Sequence, residues 1–462
     1  MLFLRMQCVV AVMLAVSLAF PVAGSRAAEQ GVTVIENVTV IPMTEKGSIL
    51  RDATVVIDKG RIVSLEGPGP AGATRIDGKG KWLIPGLADM HVHLLTDGSP
   101  GPKKYPSEPP SVFFDTQDVM TPFIANGVTQ ILNMDAVPAS VGQRNQVASG
   151  QVLGPHIALA AVINDGESKT AFIAKTPADG RQAVRDLRAQ GYDFVKVYSE
   201  LNVETFLAII DEAGKQGLKT IGHIPEAFQG RLDSAIVPGF GMVAHAEEFA
   251  KHSKEFTDAD ARRYAQLAKA SGTWLTPTLI VMKWIASETR SLDEMRAQPE
   301  FRYVHPLLRD KWVKRNRYNR NSTPALITYF DGMVKFNARL VKAFKAAGVP
   351  MVTGSDCLTS GVISGFSLHD ELELMVQAGL TPQEALASAT RLPSVWLGTD
   401  VDRGTIEPGK RADLVLLDAN PLKDIRNTRQ IAGVFVGGQW APRAKLDEMM
   451  EGLAQRYAAG QP

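Results

Sequence analysis

Asp89-Met90-His91-Val92-His93 closes an apolar run that begins at Trp82. Side chains alternate across a strand, so His91 and His93 point the same way. Two imidazoles on one face can share a metal ion, and zinc suits nitrogen ligands of this kind. The pair alone is a weak signal, because two hydrogen-bonded histidines would look the same. Other segments strengthen it. Phe194-Val195-Lys196-Val197-Tyr198 puts a lysine in an otherwise apolar strand, where an unpaired ammonium is costly. Gly222-His223 and Ala244-His245 end two further strand-like runs, and Gly354-Ser355-Asp356 ends another. The chain has eight histidines, and His91, His93, His223 and His245 all fall at the ends of such runs. Random scatter would rarely place them so.

The elements that must position these residues alternate in type. Strand-like runs cover 82–93, 128–135, 156–163, 194–198, 220–224, 242–247, 274–280 and 351–356, with helical patterns such as 181–190 and 203–216 between them. Eight strands with intervening helices predict an α/β architecture, a parallel (β/α)8 TIM-type barrel spanning 85–402. Most runs start apolar and end polar. Barrel active sites sit at the C-terminal ends of the strands, so the polar ends are the candidate chemistry. The runs 32–41, 53–58 and 61–66, and 413–417 and 431–436 at the other end, are rich in Val, Ile and Thr. Neither set can cover its own apolar face, which predicts a small β-sandwich domain built from 28–84 and 403–462. A helical insertion is expected near 282–335. Within it, 309–320 holds six basic residues in twelve; a solvated helix face is the favoured reading, over a lid that supplies charge to an acidic substrate.

Composition bounds the rest. The chain is 45% apolar and 21% charged, an ordinary globular balance. With 50 Lys plus Arg against 49 Asp plus Glu, no positive excess points to nucleic acid. Residues 1–27 have the form of a signal peptide: Arg5, an apolar run over 8–20, then Ser25-Arg26-Ala27 as a cleavage site. An uncleaved anchor is the alternative. No other run reaches the roughly 18 apolar residues of a span, so no membrane association is expected after leader removal. Cys8 leaves with the leader and Cys357 has no internal partner. A periplasmic or secreted protein that does without disulfides is the expectation.

The order HxH, Lys, His, His, Asp on successive strands resembles the amidohydrolase superfamily of metal-dependent hydrolases, and more narrowly its imidazolonepropionase-related and prolidase-like group. The most specific stretches are Ile84-Pro85-Gly86-Leu87-Ala88-Asp89-Met90-His91-Val92-His93, Thr353-Gly354-Ser355-Asp356 and Gly404-Thr405-Ile406-Glu407-Pro408-Gly409-Lys410-Arg411-Ala412-Asp413-Leu414. Many members carry an Asn after the position of Ala389-Thr390, where Arg391-Leu392-Pro393 stands here. The resemblance implies two divalent metal ions, with zinc expected. His91, His93 and Asp356 would hold the more buried ion, and His223 and His245 the more exposed one. Lys196, carboxylated by carbon dioxide, would bridge them; a mononuclear site is the fallback if it stays unmodified.

Asp356 would serve as the proton shuttle in hydrolysis of an amide or peptide bond by a metal-bridging hydroxide. The substrate expected is a small molecule, a dipeptide or N-acyl amino acid. The alternatives are a cyclic amide, lactone or phosphoester, or a metal-dependent binding protein without turnover. A homo-oligomer is left open. Tyr198 shares the strand parity of Lys196, and His369 follows the eighth strand, so both are candidate substrate contacts. His156 is expected to be structural, at the far end of the barrel. His252 and His305, in polar helical contexts, are expected on the surface. Cys357 points away from Asp356 and is not expected to be a nucleophile.

Overall fold

A computed structural model describes residues 31–97, 112–166 and 171–459. The leader expected over 1–27 lies outside the described residues. The first strands are β1 (Thr33–Val40), β2 (Leu50–Asp58), β3 (Arg61–Ser64), β4 (Thr74–Asp77) and β5 (Trp82–Pro85). They join one eight-stranded sheet with three strands from the far end of the chain. With those three labelled β14 (Leu414–Leu417), β15 (Ile431–Val436) and β16 (Gln439–Pro442), its order is β16-β15-β14-β5-β1-β2-β3, with β4 beside β1. Ile35, Val55, Ile57, Leu83, Leu414, Leu416 and Phe435 form its buried core. The two ends of the chain thus supply each other's missing apolar face.

The run from Trp82 to His93, expected as one strand, divides at Gly86 between two sheets. β5 pairs antiparallel with β14 (Leu414–Leu417), whereas β6 (Leu87–Val92) opens the barrel. A Cβ at Gly86 would lie 2.0 Å from Thr129 Oγ1, so only glycine passes at this crossing.

The barrel continues through β7 (Val128–Asn133), β8 (His156–Asn164), the short β9 (Phe172–Ile173), β10 (Phe194–Val197), β11 (Lys219–Gly222), β12 (Met242–Ala244) and β13 (Trp274–Thr276). β9 is an addition at the end of β8; the other seven are parallel neighbours in the order β13-β12-β11-β10-β8-β7-β6. The expected eighth strand is not a regular one. Residues 351–356 instead close the barrel with a few backbone bonds to β13 and β6 and no regular ladder. Val352 N–H donates to Leu275 O at 3.0 Å, Met90 N–H to Thr353 O at 2.9 Å, and Asp356 N–H to His91 O at 2.6 Å. Asp356 has φ 57°, which takes the segment out of the ladder and turns its carboxylate inward.

Met90, Leu132, Ala160, Phe194, Ile221, Met242 and Val352 fill the lower interior, and Trp396 stacks on Phe194 at 4.9 Å. Chemistry is therefore confined to the opposite mouth. After β13 come the helices Leu279–Glu288, Asp293–Arg296, Pro306–Lys314, Arg317–Arg320 and Pro324–Ala347. The sheet at the far end is completed by β15 (Ile431–Val436) and β16 (Gln439–Pro442). Among the described residues no helix is long and apolar enough to cross a membrane.

Candidate metal centre

Strand periodicity builds the centre directly. Lys196 lies two residues beyond Phe194 on β10, and His223 two beyond Ile221 just past β11. Each therefore stands one layer above the apolar plug, on the same interior face. Gly222 makes this possible: its φ is 145°, and a Cβ there would lie 2.1 Å from Val197 O. His245, at φ 76°, follows β12, and Thr278, at φ 46°, follows β13. With Asp356, three non-glycine residues at the mouth hold left-handed backbone, a strain that persists only where the surroundings impose it.

The six side chains form one continuous group. Ligand atoms of His91, His245 and Asp356 all lie within 4.8 Å of one another. Asp356 Oδ1 is 2.8 Å from His93 Nε2 and 3.2 Å from His91 Nε2. Lys196 Nζ is 3.4 Å from His91 Nε2. The His223 and His245 rings are 5.1 Å apart, and those of His91 and His245 4.5 Å. The tightest three therefore straddle the two ion sites that the resemblance implies.

Burial sets the charges. His91 and His223 are held well below the usual imidazole range by burial and then by the Lys196 charge. His245 is pushed down to about 4 by burial, with Asp356 opposing. Burial also lowers Lys196, against the pull of Asp356, Asp135 and Glu248. For Asp356, burial raises the carboxyl, but the His93 hydrogen bond and the His245, His93 and Lys196 charges outweigh it, so the net direction is down. Burial thus favours the uncharged form of His91, His223 and His245, while the net direction at Asp356 favours the ionised carboxylate. His91 Nδ1 is buried without a partner among the described residues. This donor set, imidazole nitrogens facing a carboxylate oxygen with one lysine between, fits divalent cations.

Several supporting residues were not singled out from the sequence. Thr278 Oγ1 is 2.7 Å from His245 Nδ1 and donates its own proton to Pro277 O at 2.9 Å; His245 Nδ1–H then donates to it, leaving Nε2 free for the centre. Ser199 Oγ lies 2.9 Å from His223 Nδ1, with Glu248 Oε1 at 3.6 Å. Asp89 accepts from Ser355 N–H at 2.8 Å and Ser355 Oγ–H at 2.5 Å, which ties β6 to the closing segment. Glu371 accepts from Ile280 N–H at 2.8 Å and so steadies the helix that follows Thr278. Asp89 stands two residues before His91 in the motif, the one local clue; the others act on partners from distant segments. Tyr198 stacks on His223 at 4.2 Å and so stands at the mouth.

Three expectations need correction or closure. His369, expected as a substrate contact, is buried away from the centre. Its Nε2–H donates to Asn126 O at 3.1 Å and its Nδ1 meets Thr428 Oγ1 at 2.8 Å, because its position in Phe366–Gln377 turns it toward the helix end at Asn126 and the turn Ile425–Arg429. His305, expected on the surface, is 4% exposed, wedged between Phe114 and Tyr457 at 4.9 and 5.1 Å. Cys357 is buried, and burial pushes its thiol up to about 12, which removes it as a nucleophile.

Burial holds His369 neutral, with its value lowered to about 3. Below about pH 6.5 the unfolded chain takes up a proton that the folded one refuses, so this group's contribution is whole above that pH and declines on acidification. The loss is about 2 kcal/mol at pH 5. His369→Phe should lose about 1–3 kcal/mol near pH 7 through its unpaired partners, and the gap to the wild type should narrow by pH 5. Urea titrations at both pH values measure this; a lowered substrate affinity without a stability change would restore the substrate role.

Comparison with known proteins agrees with this architecture. The profile of the Amidohydrolase family matches residues 82–441. The 5-methylthioadenosine/S-adenosylhomocysteine deaminase of Symbiobacterium thermophilum is 31% identical over 432 residues, covering 84% of this chain and 85% of that enzyme. The imidazolonepropionase of Stenotrophomonas maltophilia is 40% identical over 75 residues, only 14% of this chain and 18% of that enzyme. A crystal structure of a Xaa-Pro dipeptidase superposes with TM-score 0.65 at 19% identity, covering 89% of this chain and all of that one. By the extent of the family match and the long relative, this chain belongs to the amidohydrolase family.

Proposed function

We propose that the protein is an exported, metal-dependent hydrolase that cleaves an amide or peptide bond in a small molecule, a dipeptide or N-acyl amino acid. The observation that carries this reading is the convergence of His91, His245 and Asp356 at one barrel mouth, with Lys196 3.4 Å from His91. In this reading His91, His93 and Asp356 would hold one divalent ion, His223 and His245 would hold a second, and Lys196, once carboxylated, would offer an anionic oxygen as a further ligand. Bound there, such ions acidify a water and polarise the scissile carbonyl.

The chain's own residues do the rest. Asp356, kept ionised by its neighbours, takes the proton from the attacking water and returns it to the leaving amine. Tyr198 Oη–H donates to the oxygen on which charge develops. Thr278 and Ser199 fix the rings of His245 and His223. The apolar interior below, built from residues such as Met90, Leu132, Phe194, Ile221 and Met242, excludes water from beneath the reacting atoms.

The test is a panel of dipeptides and N-acyl amino acids incubated with metal-analysed protein, with released amine as the readout. Cleavage of at least one class that is lost on chelation supports the reading; none across the panel, with metal bound, overturns it. The length of the deaminase match favours one second reading, release of ammonia from an amine-bearing substrate. An ammonia assay on the same panel of conditions separates the two. Labelled bicarbonate should give a carbamate carbon resonance that Lys196→Ala lacks.

A further inference from the structure

Beyond β7 a short loop leads to the helix Pro138–Ala148, and Asp135 lies in it, at the same end of the barrel as the metal centre. The loop is braced. Met134 N–H donates at 2.9 Å to the carbonyl of Val92, the residue between His91 and His93, and Ala136 N–H donates to Ala160 O at 3.0 Å. Asp135 N–H donates to Asn133 Oδ1 at 3.3 Å, and Ser140 Oγ accepts from Asn133 Nδ2–H and Val137 N–H, both at 3.2 Å. The backbone of Asp135 is thus pinned, while its carboxylate is left open. Neither oxygen takes a hydrogen bond or an ion pair among the described residues, and Oδ1 is shielded from water. The residue as a whole is only partly buried, and rotation about the broad χ2 of an aspartate can turn either oxygen outward. Its charge is felt at Lys196 and at Tyr198, so it shares the space above the centre. Asp356, Glu200 and Glu248 act on Tyr198 as well. Asp356 is paired with His93, Glu200 accepts from Asn164, and Glu248 accepts from Ile224 N–H and Lys251. Of these four carboxylates, Asp135 is the one with no partner among the described residues. Lys196 cannot fill the place once carboxylated, because a carbamate is itself an anion. A carboxylate oxygen held off water without a donor is costly, and a cationic donor recovers that cost with a strong hydrogen bond.

We infer that Asp135 is a specificity residue that receives the free α-ammonium group of the substrate, so that unblocked dipeptides are cleaved in preference to N-acyl amino acids. The inference rests on the amide-hydrolase reading for calling the occupant a substrate, and it chooses between the two classes that reading leaves open. In a dipeptide the ammonium sits on the carbon next to the scissile carbonyl. The group that reads it must therefore stand at the edge of the metal centre, where the loop after β7 holds Asp135. An acylated nitrogen in the same place would offer one neutral N–H and leave the carboxylate charge uncompensated.

The test uses the zinc-loaded full chain and three matched pairs of product mimics that differ only in the ammonium: alanine and propionate, leucine and 4-methylpentanoate, phenylalanine and 3-phenylpropionate. Each is measured by isothermal titration calorimetry. In the wild type the amino acid of at least one pair should bind about tenfold or more tighter than its partner, the worth of a hydrogen bond between charged groups. Asp135→Asn should erase that difference, and Asp135→Glu, which keeps the charge, should restore part of it. Thermal melts and metal content of both variants should match the wild type; loss of metal would make Asp135 a ligand and overturn the inference. Equal affinities within every pair, or no binding by any amino acid, overturn it without recourse to a variant. A preference that survives Asp135→Asn means that the amine binds the metal, and overturns it too. Equal kcat/KM for a dipeptide and its N-acetyl derivative would sink the inference and leave the hydrolase reading intact. An Asp135-dependent preference with no cleavage of any amide would instead overturn the hydrolase reading and leave the ammonium site standing.

Discussion

Asp356→Asn will lower kcat by about 10²–10⁴-fold, the usual worth of a positioned acid–base group, while the protein keeps most of its metal. The substitution preserves shape. Asparagine retains an oxygen where Asp356 Oδ1 now stands, 2.8 Å from His93 and 3.2 Å from His91. The left-handed backbone at this position also tolerates Asn better than most residues. What is lost is the ability to accept a proton from water and pass it on. Turnover and metal content must therefore be measured on the same preparation. A parallel loss of both would reduce Asp356 to a ligand, and the proton shuttle would need another residue. Undiminished turnover would remove it from the mechanism altogether.

Lys196→Ala is the second large effect. Lys196 is 2% exposed, and burial already disfavours its charged form. A neutral amine in this position can take up carbon dioxide and become an anionic oxygen ligand. Alanine offers none. Removing even a supporting partner of a metal ligand commonly costs 10–100-fold in metal affinity or activity, and losing a shared ligand should cost at least the upper end, on the order of 10²-fold in turnover. Bound metal should fall by about half, and added propionate or acetate should restore part of both by filling the space with a carboxylate. Metal content equal to that of the wild type, with no response to added carboxylate, would mean that Lys196 does not bridge.

How much of this was legible beforehand follows from what is local. The pair His91 and His93, the lysine in an apolar strand and the histidines closing β11 and β12 are readable because strand periodicity fixes which face a side chain takes. The closing segment was placed correctly but its form was not, since the left-handed turn at Asp356 depends on contacts with β6. Gly86 reads as an ordinary residue within a strand until Thr129 is seen against it. His305 looks like a polar helix residue in sequence; its burial comes from Phe114 and Tyr457, each far away along the chain. His369 failed for the same reason, claimed by Asn126 and Thr428 rather than by the mouth. Thr278, Glu248 and Glu371 act through partners on other segments, and only Asp89 sat close enough to the motif to be noticed.

The central claim, that these six side chains bind divalent cations at the barrel mouth, is tested most directly by titrating chelator-stripped protein with cobalt(II) and recording its visible spectrum. The account predicts d–d absorption that saturates at about two equivalents, with both ions lost in a variant carrying His91→Ala and His245→Ala. An unchanged spectrum that shows only free cobalt in solution, or saturation that survives those substitutions, would contradict it.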